Sequence, residues 1–174
     1  SLREHGKGSH KYDNVRIGIN GRLETLQAAI LLPKLDIFES EIKDRQEVAA
    51  RYSNALKGLV KVPHIPDGLL SAWAQYSVVT EKRECYLGGL KESGIPTAIY
   101  YPRPLHLQTA FAHLGYRPGD FLVAEQMSER IFSLPMHPYL EPDEQQRVIE
   151  AVRKLHEAGR GEATTALSRN EACS

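Results

Sequence analysis

Ile17-Gly18-Ile19-Asn20-Gly21-Arg22-Leu23-Glu24-Thr25-Leu26-Gln27-Ala28-Ala29 sets two glycines, an Asn and an Arg directly before a long run of helical period. Gly18 and Gly21 remove side-chain bulk where a backbone turns or meets a close neighbour. Asn20 and Arg22 then supply a neutral and a cationic donor at the front of a helix, beside backbone N–H groups that lack intrahelical acceptors. A phosphate or a carboxylate suits that set of donors. The same residues also read as a helix entry with a turn Asn and a solvated Arg. Residue chemistry alone leaves both readings open.

Working outward, Leu23, Leu26, Ala29, Ile30, Leu35, Ile37, Ile42, Val48, Ala49 and Tyr52 recur at helical spacing. Pro33 falls inside this run and is expected to kink it or split it in two. Upstream, Ser1 to Asn20 is broken by Gly6, Gly8 and Asp13-Asn14 and reads as loop. Downstream the period changes. Val60 to Pro63 and Ala72 to Val79 alternate like strands, and Thr97-Ala98-Ile99-Tyr100-Tyr101 is β-branched and aromatic. Helices are expected over Glu81 to Ser93, Phe121 to Phe132, and from Glu141 through Leu155, the last with acids in its first turn. Strands with helices packed on them predict an α/β fold, with an α+β smaller domain. The expected organisation is residues 1–57 as the end of one domain with a long kinked helix, 58–156 as a small α/β domain, and 157–174 as a disordered tail without period.

The 174 residues carry 22 basic and 22 acidic side chains, so charge gives no support to nucleic-acid or membrane-surface binding. No apolar run approaches the roughly 20 residues of a membrane span. Ser1-Leu2-Arg3-Glu4-His5 is not a secretory signal, and a cytoplasmic location is expected. Cys85 and Cys173 have no metal spacing and read as free thiols. The seven histidines form no pair with metal spacing beside a carboxylate, so no metal site is expected.

Tyr100-Tyr101-Pro102-Arg103-Pro104-Leu105-His106 concentrates two phenols, a guanidinium and an imidazole on a strand end and a proline-stiffened loop. Alternation predicts Tyr100 and Tyr101 on opposite faces, one in the core and the other free for a ligand. Two half-buried strand tyrosines and a surface loop fit the same residues. Ser133-Leu134-Pro135-Met136-His137-Pro138 reads first as a proline-rich connector.

Taken in order, these stretches resemble the sugar aminotransferases of the DegT (StrS-like) type. The resemblance rests on Arg3-Glu4-His5-Gly6 and on Gly18-x-Asn20-x-Arg22-Leu23 with Gln27-Ala28-Ala29. It continues through Lys34-Leu35, Arg45 with Tyr52, Trp73 with Tyr76, and Gly94-Ile95-Pro96-Thr97. Tyr101-Pro102 with Pro104-Leu105-His106, then Ser133 to Pro138, complete it, so that it runs from Leu2 to Leu155.

The resemblance implies the C-terminal portion of an aspartate-aminotransferase-like (fold type I) enzyme that uses pyridoxal 5'-phosphate. Such an enzyme would move an amino group from an amino-acid donor to a keto-sugar nucleotide, as a homodimer with shared sites. Asn20 would reach the phosphate of the neighbouring subunit's cofactor. Arg22, Tyr100, Tyr101, His106 and His5 would meet the substrate. Relatives often carry His where this chain has Tyr100. The cofactor-anchoring lysine would lie upstream of the matched residues, so no catalytic residue is assigned here and the chain alone is expected to be inactive. Its first helix would then expose an apolar stripe. The alternative is a non-catalytic module that only supplies Asn20 and Arg22 to a neighbouring subunit.

Overall fold

The computed structural model describes residues 1–9 and 14–171. His10 to Asp13 and Ala172 to Ser174, including Cys173, lie outside the described residues. The chain forms two compact units, Ser1–Glu41 and Ile42–Ser174.

In the first unit the chain doubles back on itself. Isolated antiparallel bridges join Glu4 to Asn20 and Lys7 to Asn14. The His5 N–H donates to the Ile19 carbonyl at 2.9 Å, and the Gly21 N–H to the Arg3 carbonyl at 2.9 Å. Two glycines make this pairing possible. Gly6 has φ +76°, and a Cβ there would overlap the Arg16 carbonyl; a Cβ on Gly18 would overlap the backbone of Gly6 and His5. Helix α1, Thr25–Leu56, begins in this unit and runs unbroken through Pro33, so the expected split does not occur. In its first half Leu26, Ile30, Leu35 and Phe38 are exposed.

The second unit starts inside α1. Val48, Ala49, Tyr52 and Leu56 are buried and fill one side of its core. The boundary between the two units falls at Glu41 and Ile42, inside α1, and the helix's last four turns belong to this core. Strand β1, Tyr76–Val79, pairs antiparallel with β2, Ile131–Leu134, with Tyr76 opposite Leu134 and Val79 opposite Ile131. Helix α2, Arg83–Glu92, packs on α4, Pro142–Glu171, where a Cβ on Gly89 would overlap Leu155. Helix α3, Leu122–Arg130, leads directly into β2.

Three expectations are corrected. The strands expected at Val60–Pro63 and Thr97–Tyr101 shrink to single bridges, Lys61 with Val79 and Ala98 with Ser133, one on each side of the β1–β2 pair. Pro63, Pro96 and Pro102 flank those bridges and cannot donate to a longer ladder. The helix expected to reach Phe132 stops at Arg130, and Ile131 and Phe132 turn into the sheet, as β-branched and aromatic residues favour. The tail expected to be disordered from residue 157 is helical through Glu171, an extension of a helix already nucleated over Pro142 to His156.

The core is aromatic at its centre. Tyr52 and Tyr76 are fully buried with ring centroids 5.0 Å apart, and Trp73 lies 5.6 Å from Tyr76. Their polar atoms are satisfied: the Tyr52 hydroxyl donates to the Pro135 carbonyl at 3.1 Å, and Tyr76 shares a 2.8 Å hydrogen bond with Ser53. Burial pushes both phenols above their ordinary range. Trp73 takes a left-handed backbone, φ 48°, and α1 holds it there. The Arg45 guanidinium donates to its carbonyl at 3.0 Å and its indole N–H donates to Gln46 at 2.8 Å.

Candidate functional site

Each unit gathers its own set of the residues singled out from sequence. In the first, the paired segments bring His5 beside Ile19 and Glu4 beside Asn20. Helix α1 starts at Thr25, so Asn20 and Arg22 stand ahead of its first turn, not within it. The Arg22 Nε donates to Asn20 Oδ1 at 3.3 Å, and its Nη2 lies 3.3 Å from Glu24. Both members of that ion pair are exposed, so it contributes little to stability and yields readily to a competing anion. With Oδ1 taken by Arg22, the Asn20 amide presents its NH2 as a donor that no described acceptor occupies. The His5 side chain is exposed, on a backbone with φ 60°.

In the second unit a cleft of about 500 Å³ opens between the loop after Ala98 and helix α3. Tyr100, Tyr101, Arg103, Leu105 and Gln108 form one wall, and Ala124, Met127, Ser128 and Ile131 the other. The two tyrosines meet edge to face at 5.8 Å. Neither is a core residue: Tyr100 is 41% exposed and Tyr101 69%. The expectation of one buried and one free ring is therefore corrected. The strand that would have alternated them ends at the Ala98 bridge, and both rings line the cleft. Tyr100 also borders a smaller cavity of about 240 Å³ with Gln75, Thr97 and Met136.

His106 is in neither cavity. Its side chain is 8% exposed and its Nε2 donates to Glu125 at 3.0 Å. Its ring packs on Phe121 at 4.7 Å. Glu125 also accepts the N–H groups of Gly119, at 2.9 Å, and Phe121, at 3.2 Å. These donors hold its carboxyl below the usual range, the Gly119 N–H most strongly. His106 and Glu125 thus fasten the 115–121 loop to α3. The connector reading of Ser133 to Pro138 is corrected in part: Ser133 and Leu134 are paired strand residues of β2, and only Pro135 to Pro138 leave the sheet, where the Pro135 carbonyl accepts from Tyr52. Arg103, Gln108 and Met127 complete the cleft; Arg103 was read only as part of the Tyr100–His106 stretch, and Gln108 and Met127 were not singled out from sequence. For Arg103 the signal was present in the two prolines that flank it.

The profile of the DegT/DnrJ/EryC1/StrS aminotransferase family matches residues 1–153. The chain belongs to this family. It is 45% identical over 141 residues to the UDP-2-acetamido-2-deoxy-3-oxo-D-glucuronate aminotransferase of Pseudomonas aeruginosa, covering 80% of this chain and 38% of that protein. A DegT DnrJ EryC1 StrS aminotransferase from Brucella abortus superposes with a TM-score of 0.80 at 52% identity, over 89% of this chain and 42% of that one. A Streptococcus pneumoniae structure described as a sugar aminotransferase in its PLP form superposes at 0.78 with 25% identity, over 90% and 42%. The chain spans about two-fifths of the length of these DegT-family relatives. Among the described residues no helix is long and apolar enough to cross a membrane.

Proposed function

We propose that this chain is the C-terminal portion of a pyridoxal-phosphate-dependent enzyme that transfers an amino group from an amino acid to a keto-sugar carried on a nucleotide. The observation that carries the reading is the 500 Å³ cleft with two exposed tyrosine rings and a guanidinium on one wall, in a chain of this family. Rings and an apolar opposite wall suit a planar or sugar group, and the cation suits a phosphate. The residues of the first unit fit the cofactor's phosphate. Asn20 offers an unoccupied NH2 donor beside a guanidinium that is held only by exposed partners.

In this reading Asn20 would hold the phosphate of the cofactor on the neighbouring subunit of a cytoplasmic homodimer, and Arg22 beside it would meet the sugar substrate. Pyridoxal phosphate, when bound, supplies the electron sink for amino transfer. Tyr100 and Tyr101 orient the nucleotide-sugar. His106 acts at one remove, by fixing the loop beside the cleft. The exposed apolar residues of α1's first half supply surface for association.

The test is an amino-transfer assay on the complete polypeptide that contains this chain. Supplied with pyridoxal phosphate, glutamate and a UDP-linked 3-keto sugar, it is expected to form 2-oxoglutarate and amino sugar in equal amounts. A cofactor-loaded dimer that forms neither, from any of a panel of keto-sugar nucleotides, refutes the reading.

A further inference from the structure

Within the second unit, most arginines that contact another residue are spent on structure. Arg45 holds the Trp73 carbonyl, Arg51 reaches Gln146, Arg83 holds the Ser128 carbonyl, and Arg130 pairs with Glu81. Arg103 is different. It lines the cleft between the loop after Ala98 and α3, it is exposed, and no described residue accepts a hydrogen bond or ion pair from it.

Among the described residues no carboxylate lines that cleft, and Arg103 is the one formal charge in its lining. Glu125 sits on α3 between the wall residues Ala124 and Met127, yet its carboxylate is committed to Gly119, Phe121 and His106. The local acid is thus turned to the loop and leaves the cleft positive. The arginine's backbone is also stiff. Pro102 and Pro104 flank it, and Pro104 has φ −58° and ψ 148°. A side chain on such a backbone loses less conformational freedom when it binds.

We propose that Arg103 is a specificity-determining residue of the cleft. It binds an anionic oxygen group of the ligand while the Tyr100 and Tyr101 rings hold the neighbouring planar or sugar part. The inference rests on the functional reading above and adds the group that selects for negative charge. In a nucleotide-sugar the anionic oxygens come either from the diphosphate or from a carboxylate on the sugar. Both are the same chemistry to a guanidinium, which binds either in a bidentate fork.

The experiment titrates the complete polypeptide that contains this chain with UDP-glucuronate, UDP-glucose and uridine, following binding by calorimetry. It is repeated on Arg103→Ala and Arg103→Lys. The wild-type polypeptide is expected to bind both UDP-sugars better than uridine. Arg103→Ala is expected to weaken the UDP-sugars about tenfold or more and to leave uridine unchanged. Arg103→Lys should recover part of the loss, since it keeps the charge but not the fork. Equal losses for the two UDP-sugars assign the diphosphate as the source of the anion. A loss confined to UDP-glucuronate assigns the sugar carboxylate. UDP-sugar binding that persists undiminished in Arg103→Ala overturns the proposal and leaves the functional reading standing. A complete wild-type polypeptide that binds neither UDP-sugar overturns both.

Discussion

Gly18 lies directly against the backbone of Gly6, with no room for a Cβ between them. The contact joins the Arg3-Glu4-His5-Gly6 segment to Gly18-x-Asn20-x-Arg22 and so sets where Asn20 and Arg22 stand. Gly18→Ala should force these strands apart at a cost of about 1–3 kcal/mol, as overpacking does. The measurement is hydrogen exchange at the Ile19 and Gly21 amides, which donate to Leu2 and Arg3. Both should lose protection while the amides of β1 and β2 keep theirs. Unchanged exchange at Ile19 would mean the glycine contact does not hold the pairing.

Gln46 makes the second local prediction. Its side chain accepts from the Trp73 indole at 2.8 Å and donates to the Ser71 carbonyl at 2.5 Å. Trp73 is 8% exposed, so Gln46→Ala leaves a covered indole N–H without a partner. The expected loss is about 1–3 kcal/mol in urea unfolding. As the chain's single tryptophan, Trp73 also reports the change by fluorescence. A variant as stable as wild type would show that the 71–73 loop is held by Arg45 and ring packing alone.

Glu125 predicts an acid response confined to one loop. Its pKa is lowered in the folded state, first by the Gly119 N–H and then by Phe121 and His106. A carboxyl with a depressed folded pKa stabilises the fold above its unfolded pKa, and that stabilisation is lost as pH falls through the folded value. Protection of the Gly119 and Phe121 amides should therefore be full at neutral pH and fall in acid, below the usual carboxylate range. Glu125→Gln should start with weaker protection and show a flatter profile, since an amide oxygen accepts these bonds without a charge. A wild-type profile that stays flat through acid would contradict the role assigned to Glu125.

What was legible in the sequence follows from range. The helical run from Leu23 and the acidic first turn of α4 are local patterns, and α1 and α4 formed close to where those patterns lie. The strands were less legible, because a strand exists only by pairing with a distant partner. Ile131 and Phe132 continue an apparently helical segment, yet β1 takes them as its partner. At the site, the Gly-x-Asn-x-Arg stretch showed which donors meet, but not that α1 starts beyond them. His106 looked available because its partner is 19 residues away on α3. The exposure of both Tyr100 and Tyr101 depended on where the Ala98 bridge ends, which propensity does not encode.

Tyr101→Phe tests the ligand wall of the cleft. Tyr101 is 69% exposed, and its hydroxyl has no hydrogen-bond partner among the described residues. Removing that hydroxyl takes nothing from the fold, so the melting temperature of the chain should not change. In the complete enzyme the same change should weaken nucleotide-sugar binding by the order of one hydrogen bond, about 0.5–1.5 kcal/mol. Ring packing against Tyr100, edge to face at 5.8 Å, is preserved in the variant, so the loss isolates the hydroxyl. The measurement is a thermal melt paired with a substrate titration on one preparation. A lowered melting temperature with unchanged affinity would return Tyr101 to a purely structural role. Unchanged values of both would move the polar contact to Tyr100, which borders both cavities and is the less exposed of the two rings.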